Sequence, residues 1–488
     1  MGIGSRHSIG RVQCEASSPP AQVTFGHCDL AVAGRASARR SIADLAPKMH
    51  AADPLASSSS LSAVPAFARA PLLAVVQQHA DDAAHLRHVR SVLVRAPHVK
   101  LLQLGRLDER LAAHLDGLAV AGGHGQAQAE AALERLGCGE VFTAAVCALE
   151  ARDQPALQRL LALAPAAPQA WRGVLSAFGW VSPGLLRDIV RQLLASTQAW
   201  QRALGIEACR LHRVDPGPVL LSAMQHSDGM LRQAALRTAG ELGRSDLLPL
   251  ALQALDDTDA AQAHAAARAA CLLGDRGAAL RLVQASTFAA DALASGDNML
   301  RALALQALPW DLGREEVRRL AQAAQPSTAR ALVRAIGWLG DAALVPRLIE
   351  RMADLRLARL AGEAFTLISG ADLTALNLER KPPEGVETGP NEDPADDNVA
   401  LDEDEGLPWP DPEHVQIWWR DQAACFATGQ RCFLGAPADA GHCRQVLRSG
   451  TQRQRALAAQ QLSLLHPGRP LFPVAQPVWR QQRRLDEN

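Results

Sequence analysis

The sequence predicts an all-α fold, a solenoid of paired short helices, and three features predict it. Counting back nine residues from Gly243, Gly274, Gly313, Gly340 and Gly370 always reaches an alanine: Ala234, Ala265, Ala304, Ala331 and Ala361. The residue before the glycine is Leu242, Leu273, Leu312 or Leu339, with Ser369 the exception. Large and small side chains thus recur at set places on a helix, as close helix packing requires. Alanine and leucine dominate, aromatics make up 4% and tyrosine is absent, which suits stacked helices and disfavours a large sheet. The glycines lie 31, 39, 27 and 30 residues apart, and two helices in about 30 residues is the period of an α-solenoid. An unrelated helical bundle is the alternative.

Residues Met1 to Ser62 are rich in Ser, Ala, Arg and Pro without periodicity, and Ser57 to Ser60 is a run of four serines. They read as disorder, or as an extension upstream of a start at Met49 or later. Residues 63–137 read as an N-terminal helical cap. The stretches LLAVVQQHADDAAHLRHVRSVLV and LDERLAAHLDGLAVAG supply two or three helices there, and a solenoid needs its first repeat covered.

Residues 138–380 are read as the repeats. Weaker units run through Glu140 to Ala164, Trp171 to Ser196 and Trp200 to Gln225, broken by Pro165, Pro183 and Pro216. In the clearest unit, Leu231, Ala235, Ala239 and Leu242 make an apolar stripe, and Gly243 closes the helix in a left-handed turn. Ser245 or Asp246 is expected to cap the next helix, with Leu247, Leu248, Ala251, Leu252 and Leu255 as its buried face and Pro249 near its start. After Gly340, Asp341 takes the cap, Leu344, Val345, Leu348 and Ile349 the buried face, and Pro346 the place of Pro249. Pro309 is expected to end its helix before Gly313, leaving one irregular unit. Residues 381–413 form an acidic, proline-interrupted linker, and 414–488 a small C-terminal region with a helix at Thr451 to Leu465.

Net charge is −1, so the whole chain is no polycation built for nucleic acid. From Cys138 to Arg380 there are 25 arginines and 24 acids, from Lys381 to Glu413 one base and 12 acids, and from His414 onward 10 bases and 4 acids. The basic end could fold back on the acidic linker; a solvated linker followed by an ordinary small domain is the plainer reading. Nine cysteines, an odd number with no CxxC pair, fit a reduced, cytoplasmic protein. Cys147, Cys209 and Cys271 lie on apolar stripes and read as small core residues. No apolar run has the length of a membrane-spanning helix.

Chemistry-bearing groups are sparse. His79, Asp81, Asp82, His85 and His88 could bring metal ligands together on one helix, but no closing partner is evident. Asp402, Asp404 and Glu413 match the first, third and twelfth places of a calcium loop, yet Leu407 stands where glycine is needed and Pro408 and Pro410 stiffen the turn. There is no phosphate loop, GxSxG elbow or HExxH pair. No catalytic, cofactor-binding or metal residue is assigned. Arg232, Arg237, Arg301, Arg330 and Arg334 with Trp338 could line a basic groove like that of HEAT-like DNA glycosylases; pairing with acids between repeats is the simpler use. Trp409, Trp418 and Trp419 are candidate partner-binding residues, since tryptophan is favoured at interface centres. The same rings could instead dock the C-terminal region onto the last repeat.

The stretches VRAPHVKLLQLGRLDERLAAHLDGL, RLARLAGEAFTLISGADL, GPNEDPADDNVALDEDEGLPWPDPE and GTQRQRALAA followed by PLFPVAQPVWRQQRRL resemble an uncharacterised bacterial HEAT-repeat family, from Pro71 to the C-terminus. The resemblance implies HEAT-like pairs and an association with type VI secretion accessory genes, and offers no catalytic residue. The expectation is therefore a non-enzymatic scaffold or adaptor with another protein as partner, nucleic acid being disfavoured. A HEAT-like nucleic-acid enzyme is the alternative, and a cofactor-handling lyase, which would need a deep pocket, is a third reading.

Overall fold

The computed structural model describes residues 71–285, 295–322, 326–384, 402–427 and 429–487. The readings of Met1 to Ser62 and of the middle of the acidic linker lie outside them. Residues 69–488 form one compact unit, so the cap, the repeats and the C-terminal region fold together. The architecture is an all-α solenoid of HEAT-like helix pairs.

The cap consists of α1 (Leu73–Leu93), α2 (Leu101–Val120) and α3 (Gly123–Ala131). Eight helix pairs follow: α4 (Cys138–Glu150) with α5 (Gln154–Leu163), α6 (Pro168–Trp180) with α7 (Pro183–Ala195), α8 (Ala199–His212) with α9 (Pro218–Met224), and α10 (Gly229–Leu242) with α11 (Leu248–Gln253). Then come α12 (Ala260–Leu272) with α13 (Gly277–Ala285), α14 (Ser295–Ala307) with α15 (Trp310–Gln322), α16 (Pro326–Leu339) with α17 (Val345–Arg351), and α18 (Ala358–Ser369) with α19 (Pro412–Gln422). Each first helix packs on the first helix of the next pair, which makes the stack.

Local chemistry explains the period. Asp153, Ser182, Asp228, Asp259, Asp341 and Asp411 accept main-chain N–H groups at helix starts, satisfying donors that the helix itself leaves unpaired. Neighbouring first helices approach through small residues. A Cβ on Gly240 would lie 2.8 Å from Ala269 Cα, and one on Gly337 would lie 3.0 Å from Ala364 Cα. Of the recurring alanines, Ala234, Ala304 and Ala361 are buried while Ala265 and Ala331 are half-buried.

As expected, Pro309 ends its helix before Gly313: α14 stops at Ala307 and Gly313 lies inside α15. Two sequence expectations change. Neither Ser245 nor Asp246 caps α11: both sit in a 3-10 turn, and Asp246 pairs with Arg244. The stack also continues past residue 380. Helix α19 packs on α17 as the second member of an eighth pair, separated from α18 by the acidic insertion. The neck of that insertion is zipped by Arg380 N–H to Trp409 O and Asp411 N–H to Leu378 O, both 2.8 Å.

Beyond α19 the tail forms a short hairpin, β1 (Cys432–Phe433) with β2 (Ala436–Pro437), then α20 (Ala440–Ser449), α21 (Gln452–Leu465) and α22 (Val478–Asp486). Helix α21 packs on α12 and α14, and α22 on α2. None of the described helices is long and apolar enough to cross a membrane.

Candidate functional site

Every α-helix leaves its last four carbonyls without helical partners, and a stack of parallel first helices brings many such ends to one edge. The tail runs along that edge in reverse order. Leu434 and Gly435 donate N–H groups to Leu367 O (2.6 Å) and Ile368 O (3.0 Å) at the end of α18. Cys432 N–H reaches Gly340 O (2.8 Å) after α16. The Arg431 guanidinium forks to Leu305 O (2.7 Å) and Leu308 O (2.5 Å) at α14. Pro467 covers Gly274 beyond α12, and Leu471 N–H reaches Glu241 O (2.9 Å) in α10. Gln476 donates to Leu211 O in α8, and Arg480 donates to Gly179 O and Trp180 O, both 2.7 Å, and to Val181 O at the end of α6.

Arginine suits this edge because the helix dipole places negative potential there. Burial pushes the Arg431 and Arg480 guanidiniums down to about 10, Arg480 helped by Arg483 and Arg484, which leaves both charged at neutral pH. Arg431 and Arg480 of the C-terminal region therefore serve ends of the first helices. Of its arginines, Arg453 reaches the acidic insertion.

That insertion forms the second feature. Asp402, Glu403 and Asp404 form a strap across α16 and α18. Arg330 is bidentate on Asp404 (2.7 and 2.8 Å), Arg334 holds Glu403 (2.6 Å), and Arg359 binds the Asp402 carboxylate. Main-chain carbonyls are held as well: Arg359 donates to Asp404 O (3.1 Å) and Arg453 to Glu403 O (2.6 Å). Arg453 also binds Glu363 of α18 (2.9 Å) and Arg95 O of the cap (3.1 Å), joining both ends of the solenoid. Burial opposes the charge on Arg330, yet its bonds to Asp404 and Glu403 raise it above the usual arginine value. Burial raises Glu363, with Arg453 offsetting part of the shift. Burial likewise works against Asp402, but the Asp404 N–H and Arg359 bring it below the usual carboxylate value.

The other candidates are dispersed. Trp409 is buried beneath Arg359, 4.8 Å from guanidinium carbon to ring centroid. Trp418 and Trp419 pack edge-on against Phe365 of α18, with centroids 5.7 and 6.2 Å away. The rings thus close the eighth helix pair, with Trp409 and Trp419 buried and Trp418 half-buried. Asp402 and Asp404 face arginines while Glu413 is exposed on the first turn of α19, which separates the three carboxylates of the calcium reading. His79 Nδ1 lies 3.1 Å from His114 Nδ1, and Asp82 lies 3.6 Å from His114. Asp81 pairs with Arg135, and His85 and His88 are exposed. No cluster of three or more suitable ligands occurs among the described residues.

Arg232 pairs with Asp257 and Arg237 with Glu207, so with Arg330 and Arg334 four of the five candidate groove arginines hold carboxylates. Arg301 is buried. Trp338 lines a crevice with Gly337, Arg431, Cys432 and Phe433 that has room for about one water molecule. Cys209 and Cys271 are buried, and burial pushes their thiols up to about 11 and about 12. Half-buried Cys147 is pushed up by the same cause to about 12.

Sequence reasoning missed the tail's role because its acceptors are main-chain carbonyls, which carry no residue signature. The one available signal was the cluster of arginines in PVWRQQRRL. In comparisons with known proteins, the chain matches no family model, no curated protein and no solved structure.

Proposed function

We propose that this chain is a non-enzymatic scaffold or adaptor that binds another protein. One observation supports the reading: the edge of the stack where the first helices end already holds polypeptide. Between residues 431 and 480 the tail meets the ends of successive first helices through main-chain bonds of Cys432, Leu434, Gly435 and Leu471 and through the Arg431 and Arg480 forks. The chemistry this surface offers is recognition of peptide groups. Its arginines are matched by carboxylates or carbonyls, so no broad positive field favours a nucleic-acid backbone. The resemblance to the bacterial HEAT-repeat family gives the proposal a specific form, an accessory protein of type VI secretion.

The test is affinity capture of the full-length tagged protein from its own host, followed by reconstitution of the complex from purified components. A defined protein that rebinds at fixed stoichiometry, above all a secretion component, supports the proposal. Recovery of nucleic acid that survives nuclease-free washing in salt would overturn it.

A further inference from the structure

We infer that the groove over α16 and α18 is a recognition site for an acidic segment of a partner protein, and that the strap at Asp402 to Asp404 is its resident occupant. The inference rests on the reading of the chain as a polypeptide-binding scaffold and adds where the partner binds and with what chemistry.

Three consecutive carboxylates meet three arginines set on two neighbouring first helices. Arg330 and Arg334 are one helical turn apart on α16 and share Glu403, at 3.4 and 2.6 Å, while Arg359 on α18 takes Asp402. Arg334 and Arg359 are each 12% exposed and Asp404 4%, while Arg330 and Glu403, at 30% and 35%, keep a side toward water. With the strap lifted, Arg330, Arg334, Arg359 and Arg453 would face the single carboxylate of Glu363. Four guanidiniums against one carboxylate leave a net positive site that attracts an acidic ligand, and a ligand that covers the site again shields the ion pairs it forms from solvent.

The ligand class follows from the bonds. A phosphate backbone would need only the side-chain charges, whereas here Arg359 and Arg453 donate to the carbonyls of Asp404 and Glu403. Carboxylates and peptide carbonyls are read together, with the Trp409 ring beneath Arg359 as a neighbouring anchor. An acidic peptide supplies this pattern, and a nucleic acid does not. The strap sits on an insertion closed at its neck by the Arg380 and Asp411 bonds, so it can leave the groove without unpairing α18 and α19.

The experiment compares two full-length chains, wild type and the D402N/E403Q/D404N variant, by fluorescence anisotropy with a labelled synthetic peptide of residues 402–410. A tethered strap competes at high effective concentration, so the variant is expected to bind the peptide at least about tenfold more tightly than wild type. Adding R334A to the variant should reverse the gain, and a peptide carrying the same amide changes should not bind. Equal affinity of the two chains, with both showing a cooperative thermal transition, would overturn the inference. Displacement of the peptide by a single-stranded oligonucleotide at lower concentration would overturn the assignment of a peptide ligand. If the triple variant does not fold, E403Q alone decides in the same way, an unchanged affinity counting against the groove. The outcomes separate this site from the scaffold reading: failed peptide binding with successful capture of a partner removes the groove alone, and the reverse leaves the groove standing.

Discussion

Single residues carry two tests of how the helix ends are held. His212, near the end of α8, bonds Phe178 O at 2.7 Å. Burial pushes its imidazole down to about 4, and Arg480 and Arg484 add to the effect while the Phe178 bond offsets part of it. The folded pKa is below the unfolded value of about 6.5, so the neutral ring contributes stability above pH 6.5 that is lost as pH falls toward 4. A loss of about 3 kcal/mol is expected across that window. H212Q should flatten it, read as urea midpoints at pH 7 and pH 4.5. Arg431 holds two carbonyls at α14 and lies 3.5 Å from a third, Leu339 O. R431A should cost about 3 kcal/mol by leaving buried acceptors unpaired. R431K should recover less than half of that, since an ammonium cannot reproduce the planar fork. Full recovery by lysine would show that charge alone matters there.

Helix-scale behaviour depends on the turns that close the first helices. Gly340 has φ +76°, and a Cβ there would lie 2.3 Å from Cys432 O of the tail. Gly217 has a similar φ of +71° but faces open space. G217A should therefore cost about 1 kcal/mol from backbone strain alone, and G340A about 3 kcal/mol because the tail must also shift. Equal costs in thermal unfolding would mean that the tail yields freely. This contrast marks what was legible. Gly243, Gly340 and Gly370 announced helix ends because left-handed turns select glycine, and Asp341 announced a helix start because a short carboxylate caps it. The irregular unit at Gly313 was legible too, because Pro309 cannot continue the helix before it. Helix α19 escaped notice as a repeat member because the acidic insertion breaks the period, although Trp418 and Trp419 were visible as an anchor. The strap's carboxylates were legible as a cluster, but their partners were not, since Arg330 and Arg359 lie more than forty residues away in sequence.

For the whole molecule, the tail turns a row of helix pairs into a closed body. A chain ending at Gln430 would leave the ends of α6, α8, α10, α14, α16 and α18 to water and uncover apolar surface that Phe433, Leu447 and Leu457 now fill. The full chain is expected to unfold in one cooperative transition, and the truncated chain to lose it and to be cleaved within the repeats by dilute protease. A truncated chain with unchanged melting temperature would show that the stack stands by itself. The sequence alone determined the helix pairs, because apolar spacing, capping carboxylates and terminal glycines act within one turn of the residues that carry them. Tertiary structure decided what covers the ends of the first helices, how the acidic strap is neutralised and where the tryptophans lie. Those outcomes depend on main-chain carbonyls and on charges brought together from distant parts of the chain, and neither leaves a periodic trace in the order of the amino acids.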